Sequence, residues 1–142
     1  MIISLLEVLM KYIFVAAAAI VKNNKVLITK RVGGPYHDMW EFPGGKIEED
    51  ESHQEAVIRE IQEELLCDIN PLQKLITITH QYPEFHMTMH LYISELIKGE
   101  PTLTEHSAMQ WVGPEDLDDV NWIPADIDII ASLKSYLVNL VS

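Results

Sequence analysis

GGKIEEDESHQEAVIREIQEE, residues 44–64, is the stretch whose reading decides the fold. Its second half carries a helix signature. Ser52 is a good N-cap, and Glu55 three residues on completes a capping box, in which each residue satisfies an amide of the other. Val57, Ile58, Ile61 and Leu65 recur at helical spacing and form an apolar stripe, which predicts a helix from Ser52 to about Leu66. Glu60, Glu63 and Glu64 then project from one sector beside that stripe. Like charges so placed destabilise an isolated helix, and no lysines alternate with them as on a salt-bridged face. Hard carboxylate oxygens converging at the edge of burial suit Mg²⁺ or Mn²⁺. Taken alone, the acidic run also reads as an ordinary solvated helix face.

Working outward, the chain alternates strand and helix patterns. Upstream, residues 12–21 read as a buried strand, 22–25 as its turn, 25–31 as the returning strand and 40–42 as a short strand before Pro43. Downstream, Asn70-Pro71 reads as a stop, because a residue before proline avoids helical angles. Leucine is a good helix former, so the helix is expected to run through Leu66 toward Asp68. Strands are expected at 75–81 and 86–93, joined through Tyr82-Pro83-Glu84-Phe85, and a late strand at 109–112. A helical turn at 114–117 and a helix from Ala125 to about Leu140 follow. The order predicts an α/β (α+β) sandwich, a mixed sheet with helices on its faces. Residues 10–142 read as one domain. The almost wholly apolar residues 1–9 form an extension expected to cover a surface or a partner subunit.

Composition narrows the functions. The 142 residues hold 10 Lys+Arg against 22 Asp+Glu, a net charge of −12, with 48% hydrophobic residues. So acidic a chain lacks the basic footprint of a duplex nucleic-acid binder. Glu7 and Lys11 interrupt the apolar N-terminal run, which is too short on either side to span a bilayer as a helix. Cys67, the single cysteine, makes neither an internal disulfide nor a thiolate metal site and reads as a small buried hydrophobe. A reducing compartment, the cytoplasm, is the expectation. His86 and His90 share a strand face but stand about 13 Å apart, too far for one metal. Gly33-Gly34 precedes no helix bearing Lys-Ser/Thr and is no phosphate loop.

The upstream spacing changes the reading of the acidic helix. Gly45, five residues, Glu51, seven residues, Arg59-Glu60, an aliphatic, any residue, then Glu63-Glu64 resembles the Nudix hydrolase signature. The likeness extends over residues 10 to about 138, through Thr29-Lys30-Arg31, Trp40-Glu41-Phe42-Pro43-Gly44-Gly45-Lys46, Gly99-Glu100-Pro101 and Pro124-Ala125-Asp126. These segments are similar to the MutT-like branch, the nucleoside triphosphate pyrophosphohydrolases.

That resemblance implies a Nudix-type α/β/α sandwich and a metal-dependent hydrolase releasing a nucleoside monophosphate and pyrophosphate. It implies Mg²⁺ or Mn²⁺ held by Glu60, Glu63, Glu64 and the Gly44 carbonyl, with Glu105 as a further carboxylate on a loop. Glu63 is the expected base, Arg59 orients the glutamates, Glu51 caps their loop and Lys46 is a counter-charge for phosphate. Arg31, Phe42, Tyr82 and Asp126 fall at substrate-binding positions. An ionised Asp126 accepts from guanine, whereas a protonated one donates to cytosine N3. Oxidised purine nucleotides such as 8-oxo-dGTP and cytosine nucleotides such as CTP or 5-methyl-dCTP both remain open. So do other nucleoside diphosphate-linked substrates and a Nudix-fold binding module without turnover. Monomer and homodimer are equally open. The signature's glycine after Glu-Glu-any is here Leu66.

Overall fold

The computed structural model describes residues 11–140; the 1–9 extension lies outside them. The central strand β1 (Lys11–Lys22) runs parallel to β6 (Phe85–Lys98). Four consecutive alanines, Ala16 to Ala19, sit at its buried middle. Alanine is a poor strand former on general grounds. The strand runs so close to residue 44 that a Cβ there would overlap the Ala16 carbonyl and Ala17, which is why that position is glycine. Ala16 and Ala18 join one apolar cluster while Ala17 and Ala19 join a second on the opposite face.

An Asn23-Asn24 turn, both residues at positive φ, returns the chain into β2 (Lys25–Lys30), as a tight hairpin with primed geometry demands. Then come β3 (Trp40–Glu41), β4 (Gly44–Lys46) and helix α1 (His53–Leu65). A long hairpin, β5 (Asp68–Gln81) with β6, fills one side, and β7 (Ala108–Val112) pairs with β2. The sheet order is β3-β2-β1-β6-β5, with β4 added to β1 and β7 to β2. A 3-10 turn (Pro114–Asp119), a short helix α2 (Pro124–Ile127) and α3 (Ile130–Asn139) close the described chain. Helix α1 packs Val57, Ile61 and Leu65 on one face of the sheet, and α3 packs Ile130, Leu133 and Leu137 on the other. The mixed sheet between helices is as expected.

Several boundaries differ from expectation. Ile58 is exposed; Ala56 and Glu64 complete the buried face of α1 in its place. The helix does not run toward Asp68: Leu66 stands in the left-handed region at φ 54°, ψ 36°, its N–H bonded to the Gln62 carbonyl. Pro71 stops no helix but lies inside β5, at the edge of the sheet, where the register with β6 slips between Pro71 and Gln73. A missing amide hydrogen is tolerated at an edge or a bulge. The single C-terminal helix expected from Ala125 is two pieces. The first is tied to β3, since Ile123 N–H donates to the Trp40 carbonyl and Phe42 N–H to the Asp126 carboxylate.

Candidate active site

The capping box starts α1 as expected: Ser52 accepts from Glu55 N–H, and the Glu55 carboxylate accepts from Ser52 N–H. Arg59 then organises the helix's acidic face. Its Nε and Nη2 make a two-pronged contact with Glu51 at 2.7 and 3.0 Å. Nη1 donates to Glu60 at 2.9 Å and lies 3.4 Å from Glu63, while Nη2 also donates to the Lys46 carbonyl. One guanidinium thus locks the helix to β4. The Arg59 contact, with the Glu48 amide, holds the Glu51 carboxyl down at about 2, and Arg59 itself is pushed up by these partners.

Glu64 is buried, and its Oε2 accepts from Gly44 N–H at 3.0 Å. Burial, then repulsion from Glu60, Glu105 and Glu41, pushes its carboxyl up to about 9. Burial also raises Glu60, against the pull of Arg59. Glu105 reaches this cluster because the loop before it caps the helix end. Thr104 Oγ1 donates to the Glu63 and Glu64 carbonyls, and Thr102 N–H to that of Leu65, satisfying carbonyls that have no partner within a helix.

Two cavities meet here. The larger, about 590 Å³, is walled by Tyr36, Phe42, Tyr82, Phe85, Met87 and Met89, with Asp126 and Lys46 also in its lining. The smaller, about 270 Å³, is bounded by Glu64, Glu105 and His106. Arg31, Val32, Glu41 and Gly44 line both.

Comparison with known proteins agrees with this arrangement. Residues 13–133 match the NUDIX domain family. The chain is 35% identical over 129 residues to the CTP pyrophosphohydrolase of Escherichia coli, covering 89% of this chain and 94% of that one. It is 32% identical over 114 residues to the 8-oxo-dGTP diphosphatase of the same organism, covering 80% and 88%. Among solved structures, the Escherichia coli ORF135 protein superposes with a TM-score of 0.81 at 30% identity, over 89% of this chain and 91% of that one. The chain belongs to the Nudix hydrolase family. It is an enzyme of the MutT-like branch, whose members act on phosphoric anhydrides.

Nudix hydrolases generally need a divalent metal, and the donors here suit one. Every candidate is a hard oxygen, and the carboxylates gather more negative charge than Arg59 offsets. A Cβ at Gly45 would overlap the Glu60 carboxylate, so the second glycine keeps that carboxylate's place open. Among the described residues, no three acidic, imidazole or thiol side chains form a ready-made cage.

Around the larger cavity of this Nudix fold, Phe42 stacks on Trp122 at 4.8 Å, and Tyr82 packs against Phe85 and Tyr36. Burial pushes the Asp126 carboxyl up to about 8, against the Phe42 amide bond that favours its charged form. Arg31 lies 3.6 Å from Glu41. Two residues at or beside the junction were not singled out from the sequence: Glu41, inside the Trp-Glu-Phe segment, and His106, beside Glu105. Their contact at 3.1 Å joins positions 65 apart. Periodicity gives no signal for such a pair.

Proposed function

We propose that this Nudix hydrolase cleaves nucleoside triphosphates to the monophosphate and pyrophosphate, acting on an oxidised guanine nucleotide such as 8-oxo-dGTP and on a cytosine nucleotide such as CTP. The observation that carries this reading is the joined pair of cavities. An apolar one, large enough for a base between aromatic walls, opens beside an acidic one at the glutamate helix. The similarity to an 8-oxo-dGTP diphosphatase and a CTP pyrophosphohydrolase supports the same two nucleotides.

In this mechanism Glu60, Glu63, Glu64, Glu105 and the Gly44 carbonyl would hold the divalent cation, Mg²⁺ or Mn²⁺. When bound, that cation neutralises phosphate oxygens and lowers the pKa of the attacking water. Glu63, the most open of the three clustered glutamates at 57% side-chain exposure, takes the proton of that water. Arg59 keeps Glu60 and Glu63 in register, and Lys46 and Arg31 face phosphate. Phe42 and Tyr82 wall the base, and Asp126 reads its Watson–Crick edge: protonated it donates to cytosine N3, ionised it accepts from guanine N1–H. The single buried cysteine, Cys67, supports a cytoplasmic setting.

A panel of CTP, 5-methyl-dCTP, 8-oxo-dGTP, dGTP and ADP-ribose, incubated with Mg²⁺ and assayed for pyrophosphate, tests the reading. Pyrophosphate from the cytosine and 8-oxoguanine nucleotides is expected. Turnover of ADP-ribose alone, or of nothing, overturns it.

A further inference from the structure

Glu41 stands where the two cavities join and His106 lines the smaller one beside it, and the roles set out above use neither of them. Glu41 lies on β3, paired in register with Thr29 of β2, whose hydroxyl donates to the Glu41 carbonyl at 3.2 Å. That bond fixes the backbone and leaves the carboxylate free to be aimed by others. His106 is brought to it from a distant loop by Ser107 N–H, which donates to the Lys30 carbonyl. His106 Nε2 then meets Glu41 Oε2 at 3.1 Å, with only 5% of the imidazole side chain exposed. Since a carboxylate accepts, Nε2 carries the proton. The other ring nitrogen, Nδ1, is buried with no partner.

A half-satisfied imidazole is a costly way to fill space, because a buried polar atom without a partner keeps its full desolvation penalty. A leucine would fill the same volume without that cost. What the histidine adds is its single polar contact, the one that aims Glu41. On the other side, Arg31 Nη1 stands 3.6 Å from Glu41 Oε1. A carboxylate offers about four acceptor positions, so Glu41 keeps acceptors to spare. They lie at the boundary of both cavities.

With the base in the apolar cavity and the phosphates in the acidic one, the group spanning the boundary is the sugar. We propose that Glu41, aimed by the positioning residue His106, accepts hydrogen bonds from the hydroxyl edge of the nucleotide's sugar and makes the enzyme sensitive to its hydroxyls. The inference rests on the nucleotide reading above and adds a subsite to it.

Matched triphosphates of cytosine and guanine, carrying ribose, 2′-deoxyribose or 2′,3′-dideoxyribose, test it with Mg²⁺ and pyrophosphate release as the readout. The wild-type enzyme should lose about 10- to 100-fold in kcat/KM on the dideoxy compounds relative to the deoxy ones, mainly through KM, as expected for a hydrogen bond to a charged group. Glu41→Ala and His106→Leu should bring that ratio close to one. His106→Gln, which keeps a donor, should restore it. Because each ratio is taken within one variant, lost stability or metal affinity cancels. Calorimetric titration with dCMP and ddCMP gives the same comparison without turnover, should a variant be inactive. A wild-type enzyme indifferent to the hydroxyls, or variants that lose all substrates alike with the ratio kept, would overturn the sugar subsite. Release of pyrophosphate from none of the compounds by the wild type would instead overturn the nucleotide reading, and the subsite with it.

Discussion

Leu66 occupies a backbone conformation that disfavours a side chain: its φ of 54° places Cβ against the following carbonyl, at about 1–2 kcal/mol. The side chain is half exposed, so little buried area is lost on its removal. Leu66→Gly should therefore raise Tm by about 2–5 °C, after allowing for the greater unfolded-state freedom of glycine; a thermal melt decides it, and a lower Tm refutes the strain. At Asp126 the proposed role is in choice of base. Its folded carboxyl sits at about 8 through burial, against an ordinary 3.8. Between those values the folded state keeps a proton that the unfolded chain has lost, so this group's contribution to stability falls as pH rises from about 4 to 8 and is flat above. The protonated form, which suits cytosine, falls from about nine-tenths at pH 7 to about one-tenth at pH 9. The kcat/KM ratio of cytosine to guanine nucleotides should drop by up to about a hundredfold over that range in the wild type, since the ionised form that suits guanine rises as the protonated one falls, and stay level in Asp126→Asn, whose amide does not ionise. Parallel pH profiles for both bases in the wild type would remove Asp126 from base reading.

Helix α1 is the element on which the proposed chemistry depends, and it was the most legible one. Its start follows from local rules, Ser52 and Glu55 satisfying each other's amides. Its acidic face follows from spacing. On that face Glu63 makes only long contacts to Arg59, at 3.4 and 3.5 Å, so Glu63→Gln should leave Tm within about 1 °C while cutting kcat at least about 100-fold, the range of a lost general base. Normal turnover in that variant would take the base role away from Glu63. Legibility fails where tertiary pairing overrides local signals. Asn70-Pro71 is a strong turn signal, yet the ladder with β6 draws both into β5 by admitting a bulge. It fails again where partners are distant. Phe42 N–H and Asp126 are 84 positions apart. Glu105 owes its place to Thr104 capping helix carbonyls 40 and 41 positions earlier, a contact between backbone and side chain with no period to detect.

At the scale of the whole molecule, a charge of −12 repels a triphosphate until cations are recruited. That repulsion has a local focus: Glu60, Glu105 and Glu41 all act on the buried Glu64, while Arg59 is already committed to Glu51 and Glu60. A divalent ion bound there relieves a cost that the folded state alone carries, so it binds the native protein in preference to the unfolded chain. At ten times its dissociation constant such an ion stabilises by about 1.4 kcal/mol, which for a chain of this length is a rise in Tm of about 3–6 °C. General screening of the −12 charge would also raise Tm, and would do so with any salt of equal ionic strength. The two effects separate when MgCl₂ is compared with NaCl at matched ionic strength, in the wild type and in Glu64→Gln. A Mg²⁺ increment over NaCl in the wild type, lost in Glu64→Gln, is expected. Equal shifts from both salts would mean that the acidic cluster binds no ion of its own, and the metal assignment for Glu60, Glu63, Glu64 and Glu105 would fall.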